Sequence, residues 1–183
     1  MALTRLAHQL VRDHFVDKEK LLALDLTLGN GHDFLFLLEL GFQRVIGFDI
    51  QESAIEIVRN KLRQLPDLAA RAQLLQTGHE NFPDHIDGEL DCAMFNLGYL
   101  PHGDKSITTL ADTSLFAIRE AMTRLSSDGL MTVLCYPGHA QGKQELEAIS
   151  AEFAKRSAGF RIVEHQSSTP KPSSPVLFTI CRS

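Results

Sequence analysis

Two groups of residues in this sequence have types and spacings that can do chemistry. The first is Gly29-Asn30-Gly31 with His32-Asp33, answered by Asp49 at the tip of the next apolar run. Two glycines in a turn let a ligand approach the backbone, and an acid at the next strand tip can accept hydrogen bonds from two ribose hydroxyls. The turn lacks the last glycine of G-x-G-x-x-G, and Asp33 falls where a dinucleotide's pyrophosphate would have to lie. A carboxylate there repels phosphate and favours a cationic ligand. S-adenosylmethionine, with its sulfonium and amino groups, meets that requirement better than NAD.

The second group runs from Asn96-Leu97-Gly98-Tyr99 through Pro101-His102-Gly103-Asp104-Lys105. An asparagine carbonyl just after a buried strand can accept a hydrogen from a target nitrogen and so aim its lone pair at a methyl donor, while Tyr99 stacks on a flat base. A plain turn with its asparagine tied to the strand is the simpler alternative. His139, in Tyr136-Pro137-Gly138-His139, is a candidate to contact the substrate or accept its proton. His79, in Thr77-Gly78-His79-Glu80, is a candidate to meet an adenine ring; a loop histidine without a partner is the alternative for both.

These groups need a scaffold that gathers strand ends along one edge. The runs Leu21–Leu26, Val45–Phe48, Ala72–Gln76, Leu90–Phe95, Leu130–Tyr136, Phe160–His165 and Val176–Cys181 read as seven strands. Between them, His32–Leu40, Glu52–Leu65, Thr108–Leu125 and Gln144–Arg156 read as helices, with Leu3–Val16 preceding the first strand. Gly41 and Pro66 are helix stops, and Asp128-Gly129 is a turn. Strands alternating with helices predict a parallel α/β sheet whose carboxyl edge holds the ligand. The polar connector Gln166–Pro175 suggests that the last strand enters from another direction, and Lys171 within it could reach a polyanion.

Composition sets the outer bounds. With 183 residues, 44% hydrophobic and 22% charged, the chain reads as a single domain spanning 1–183. A net charge of −5 excludes a uniformly cationic nucleic-acid binder but allows a local basic patch. Arg5, His8 and Arg12 share a helix stripe that could touch RNA phosphates; a solvated face is the simpler reading. The three cysteines have no metal-ligand spacing and sit among apolar neighbours, which suggests free thiols in a reducing compartment. Without a signal peptide or spanning segment in view, the expected location is the cytoplasm, with no membrane and no metal involved.

Asp25–Asp33 (DLTLGNGHD), Gly47–Gln51 (GFDIQ), Phe95–Thr109 (FNLGYLPHGDKSITT) and Tyr136–Gly142 together resemble the YtqB-like methyltransferases, long labelled rRNA methylases. The resemblance covers nearly the whole chain. It implies a Rossmann-like class I fold with a mostly parallel seven-stranded sheet, helices on both faces and an antiparallel last strand. It also implies an S-adenosylmethionine-dependent homodimer that methylates 5-aminomethyl-2-thiouridine at the tRNA wobble position, within the anticodon stem-loop. Carried over, the cofactor residues are Thr27, Asn30, Gly31, His32, Asp33, Asp49, Gln51, His79 and Asn96. Asn96, Tyr99, Asp104 and His139 face the chemistry, and Tyr99 and Lys105 bind substrate. Apart from the resemblance, the charges of Arg5, Arg12, Lys105, Lys143 and Lys171 make them candidates for the RNA-binding patch. Phe34 stands where the family usually has threonine, and Thr77-Gly78 where it has Asp-Ser before the histidine. Two competing readings are an rRNA base methyltransferase, for which Leu97 and Gly98 replace the prolines of an Asn-Pro-Pro-Tyr loop, and a noncatalytic cofactor-binding protein.

Overall fold

The computed structural model describes residues 2–98, 108–156 and 158–183. Helix α1 (Leu3–His14) precedes β1 (Leu22–Asp25), α2 (His32–Leu40), β2 (Arg44–Asp49) and α3 (Glu52–Leu62). The short α4 (Pro66–Ala69), β3 (Ala72–Gln76), a 3-10 turn at His79–His85 and β4 (Leu90–Leu97) follow. Helix α5 (Ala111–Arg124), β5 (Leu125–Cys135), α6 (Ala140–Lys155), β6 (Phe160–His165) and β7 (Val176–Arg182) complete the order.

The strands form one seven-stranded sheet in the order β3-β2-β1-β4-β5-β7-β6. Strands β1 to β5 are parallel where they pair. Strand β7 runs antiparallel to both β5 and β6. The expected antiparallel last strand is therefore inserted between its two predecessors rather than added at the edge.

Both faces are covered because the central strands are apolar at most positions, so period-two alternation feeds two cores. Leu24, Ile46, Phe48, Ala93, Phe95, Met131 and Val133 pack with Ile118, Met122, Ile149 and Phe153 of α5 and α6. Ala23, Val45, Cys92, Met94, Leu130 and Leu134 pack with Val11, Phe34, Leu37, Ile55 and Val58 of α1 to α3. Gly47 belongs to the second face: a Cβ there would come within 2.8 Å of Phe34 Cδ2, so its absence lets α2 lie close to the sheet.

Several boundaries differ from expectation: α6 starts at Ala140 instead of Gln144, and α1 ends at His14 instead of Val16. Pro66 does not simply end α3; it opens α4 near its first position, where a missing N–H costs nothing. Asp128-Gly129 is not a turn before a strand but part of β5, which begins at Leu125 and shifts register against β4 between Leu90 and Cys92. Helix α5 starts at Ala111 instead of Thr108.

Candidate functional site

The sheet order reverses between β1 and β4, and the chain ends there open into a cleft of about 670 Å³. That volume suits a nucleoside-sized ligand, and its position is where open α/β sheets bind one.

On the β1 side, Gly29 and Gly31 adopt φ of 47° and 75°, the left-handed region that favours glycine. A Cβ on Gly31 would also stand 2.5 Å from Val58 Cγ2, so the turn must pass α3 without a side chain. Gly31 caps α2. Lys61 of α3 holds the turn from outside, donating to the Asn30 carbonyl at 2.7 Å. Asp49 fixes the turn from the next strand tip: one carboxylate oxygen accepts from Gly29 N–H and the other from Gln51 N–H, each at 2.9 Å. Each oxygen keeps a second acceptor position. Asn30, His32, Asp49 and Gln51 all line the cleft.

Beneath the turn lie two more acids. Asp25 is 1% exposed; Oδ1 accepts from Thr27 N–H at 3.1 Å, and Oδ2 has no partner among the described residues. Burial, reinforced by the charge of Asp33, pushes its carboxyl well above the ordinary range. Asp33 accepts from His8 Nε2 at 2.6 Å and from Asn96 Nδ2 at 3.4 Å. Burial raises the phenol of Tyr136 across the cleft, again with help from Asp33. Thr27 accepts the Asn96 N–H on its hydroxyl at 2.6 Å, which ties the β1 and β4 ends together. The Asn96 Oδ1 is buried and has no partner among the described residues.

The β4–β5 side is built differently. His79 lies in the cleft floor, 8% exposed and edge-on to Phe95, and burial lowers its basicity. The Ser114 hydroxyl is 3.5 Å from its Nε2 and donates to Glu145 Oε1 at 2.6 Å. Thr109 donates to the other Glu145 oxygen at 2.9 Å. Burial raises the Glu145 carboxyl even so. His139 caps α6, its Nδ1 accepting from Gly142 N–H at 3.1 Å.

Tyr99, Asp104 and Lys105 lie outside the described residues. Arg5 and Arg12 are exposed on α1, with the Arg12 guanidinium 5.4 Å over the Phe36 ring. Lys143 is exposed and 3.8 Å from Glu147. Ser173 lines the cleft, so the connector carrying Lys171 reaches its rim. Among the described residues there is no cluster of three or more His, Cys, Asp or Glu able to hold a metal ion, and no helix long and apolar enough to cross a membrane.

Residues 45–181 match the family described as "Putative rRNA methylase". The chain belongs to that family. A chloroplastic tRNA (mnm(5)s(2)U34)-methyltransferase of Arabidopsis thaliana is 34% identical over 139 residues, covering 70% of this chain and 51% of that protein. The chain thus spans about half the length of that relative. A "putative rRNA-methylase" of Clostridium thermocellum superposes with a TM-score of 0.91 at 35% identity, covering 100% of this chain and 98% of that one. A "putative methyltransferase" of Streptococcus mutans in complex with SAH gives 0.83 at 31%, covering 96% and 97%. The expected class I methyltransferase fold is therefore the one observed.

Sequence reading missed His8, Asp25, Lys61, Ser114 and Glu145 as parts of this site. Asp25 alone carried a signal, as the one charged residue in the apolar run Leu21–Leu26. The others pair with residues far away in the chain, which periodicity does not reveal.

Proposed function

We propose that this protein is a cytoplasmic S-adenosylmethionine-dependent RNA methyltransferase that methylates the 5-aminomethyl group of (2-thio)uridine at the tRNA wobble position. The observation that carries the reading is the buried Asn96 Oδ1, without a partner among the described residues, in a cleft wall beside an acid-rich glycine turn. The Arabidopsis relative, named for this modification, supports the choice of substrate.

S-adenosylmethionine is the cofactor, and when bound it supplies an activated methyl group. The residues present fit it. Asp49 keeps acceptor positions for two ribose hydroxyls, the glycine turn admits close approach, and Asp33 favours cationic groups over phosphate. Thr27, Asn30, Gly31, His32, Gln51 and His79 complete that half of the site.

Asn96 then accepts a hydrogen from the target amine and turns its lone pair toward the cleft. A free alkylammonium has no lone pair at neutral pH, so a proton must leave first. His139 commits Nδ1 to the Gly142 N–H, which puts the proton of the neutral ring on Nε2. Asp104 takes the proton. Tyr99 stacks on the base, while Lys105, Arg5, Arg12, Lys143 and Lys171 meet the phosphates of the anticodon stem-loop in a homodimer.

The test is methyl transfer from labelled S-adenosylmethionine to total tRNA of cells halted at the aminomethyl stage, followed by nucleoside mass analysis. Methylaminomethyl-uridine is the expected product. Label in ribosomal subunits instead would move the reading to rRNA base methylation, which the family's description favours. Bound cofactor with no RNA product would mark a noncatalytic binder.

A further inference from the structure

We propose that His8 of α1 is a positioning residue for Asn96, acting through Asp33 to keep the Asn96 carbonyl turned toward the substrate. The proposal rests on the reading of Asn96 as acceptor for the target amine.

Three observations carry it. First, the His8 ring is locked: it stacks on Phe36 of α2 with centroids 4.0 Å apart and planes within 3°, and Phe36 is itself 7% exposed. That stack aims Nε2 at Asp33 Oδ1, at 2.6 Å. A nitrogen facing a carboxylate must carry a proton, so His8 donates in this bond whether its ring is neutral or charged.

Second, Asp33 has a second oxygen, and Asn96 Nδ2 donates to it. At 3.4 Å this is a long bond, so its direction depends on how firmly the carboxylate is held. An ionised carboxylate only accepts, so the amide must turn its NH2 to Asp33. Third, the opposite end of that amide, Oδ1, is buried without a partner among the described residues. Among the described residues nothing on the oxygen side holds the Asn96 amide, and Asp33 is the described group that sets its orientation. Without the His8 bond the Asp33 carboxylate can rotate about its own χ2, and the Asn96 amide loses its reason to keep oxygen toward the cleft.

The chain His8–Asp33–Asn96 spans three elements, α1, α2 and β4, that meet only in the folded protein. It joins a helix outside the sheet order to the residue at the centre of the proposed reaction.

His8→Phe separates the bond from the packing, because a phenyl ring keeps the stack on Phe36 and removes only the donor. His8→Gln restores a donor without the ring. In His8→Phe, kcat for tRNA methylation should fall about tenfold, the scale of one hydrogen bond to a charged group, with KM for tRNA within about twofold. His8→Gln should recover most of it. In an Asn96→Ala background, His8→Phe should cost nothing further, because the two act on the same amide. Independently of activity, the Asn96 side-chain NH2 resonances of the cofactor-free protein should move in His8→Phe and return toward wild type in His8→Gln.

Unmoved Asn96 resonances in folded His8→Phe would overturn the proposal. So would a loss that multiplies with that of Asn96→Ala. If wild-type protein transfers no methyl group to RNA while the resonances respond as expected, the positioning stands and the reading of function fails instead.

Discussion

Buried carboxylates occur at the cleft and away from it, under opposite terms. Glu152, two turns along α6 from Glu145, does not line the cleft and is fully matched: Arg119 donates to its two oxygens at 2.9 and 2.6 Å, and Arg156 donates to one of them. Those donors hold its carboxyl down at about 2. Asp25 and Glu145, at the cleft, are raised by burial, and Asp25 has an oxygen with no partner among the described residues. Folding satisfied the first group and left the second in tension. Acceptors left unused by the fold are the ones a ligand can fill, so the tension at the cleft marks binding capacity rather than poor packing.

The sharpest way to break this contrast is to remove an acceptor from the cleft. Asn96→Ala should lower kcat for methyl transfer by about 10²–10³-fold, the range for loss of a group aimed at the reacting centre, while the melting temperature stays near wild type. A large drop in melting temperature with little change in kcat would reverse the roles assigned here. Single-turnover kinetics beside a thermal scan reads both.

A smaller effect tests the two groups through pH. The Asp25 carboxyl is raised in the folded chain, so its favourable share of stability is present below its ordinary value of 3.8 and is lost as pH rises through the folded value. Glu152 is the reverse: its share is present above the ordinary 4.5 and is lost as pH falls through about 2. Asp25→Asn should therefore gain stability relative to wild type as pH rises from acid toward neutral. Glu152→Gln should lose about 2–4 °C at neutral pH and match wild type near pH 2. Melting curves across that range that slope the same way for both variants would remove the distinction.

The smallest effect concerns the rim. Arg5→Ala with Arg12→Ala should weaken tRNA binding and reduce the steepness of its salt dependence by about 1–2 counterions, leaving kcat at saturation unchanged. Unaltered salt dependence places the phosphate contacts on other residues.

How much of this was legible in the sequence follows from the range of each interaction. Helix α2 and strands β3 and β6 match their expected limits, because an apolar run bounded by Gly41, Gly78 or Gly159 is a local signal. The start of strand β5 is not legible, since Asp128-Gly129 has turn chemistry and it is the pairing of Leu125 with Leu90 that keeps this segment in the sheet. The 3-10 turn at His79–His85, with Pro83 inside it, gave no periodic pattern to find. At the site, Asp33 and Asn96 were recognisable from their positions at strand and turn ends. The partner of Asp33 was not: His8 stands 25 residues away on a helix whose polar stripe reads as ordinary solvent-facing surface. Glu145 and Ser114 are hidden for the same reason, being polar residues on helices whose apolar spacing shows only in leucine, isoleucine, methionine and phenylalanine.

Helix α1 precedes the sheet strands in the chain and is made before them, yet it lies against β5 and β7, with His14 Nε2 donating to the Asp128 carbonyl at 2.7 Å. Its docking surface is finished only when the last strand has been made and inserted between β5 and β6. A nascent chain stopped before Val176 would thus hold the glycine turn and Asn96 but lack the surface that brings His8 to them. Synthesis order itself would then keep partial chains from acting on RNA.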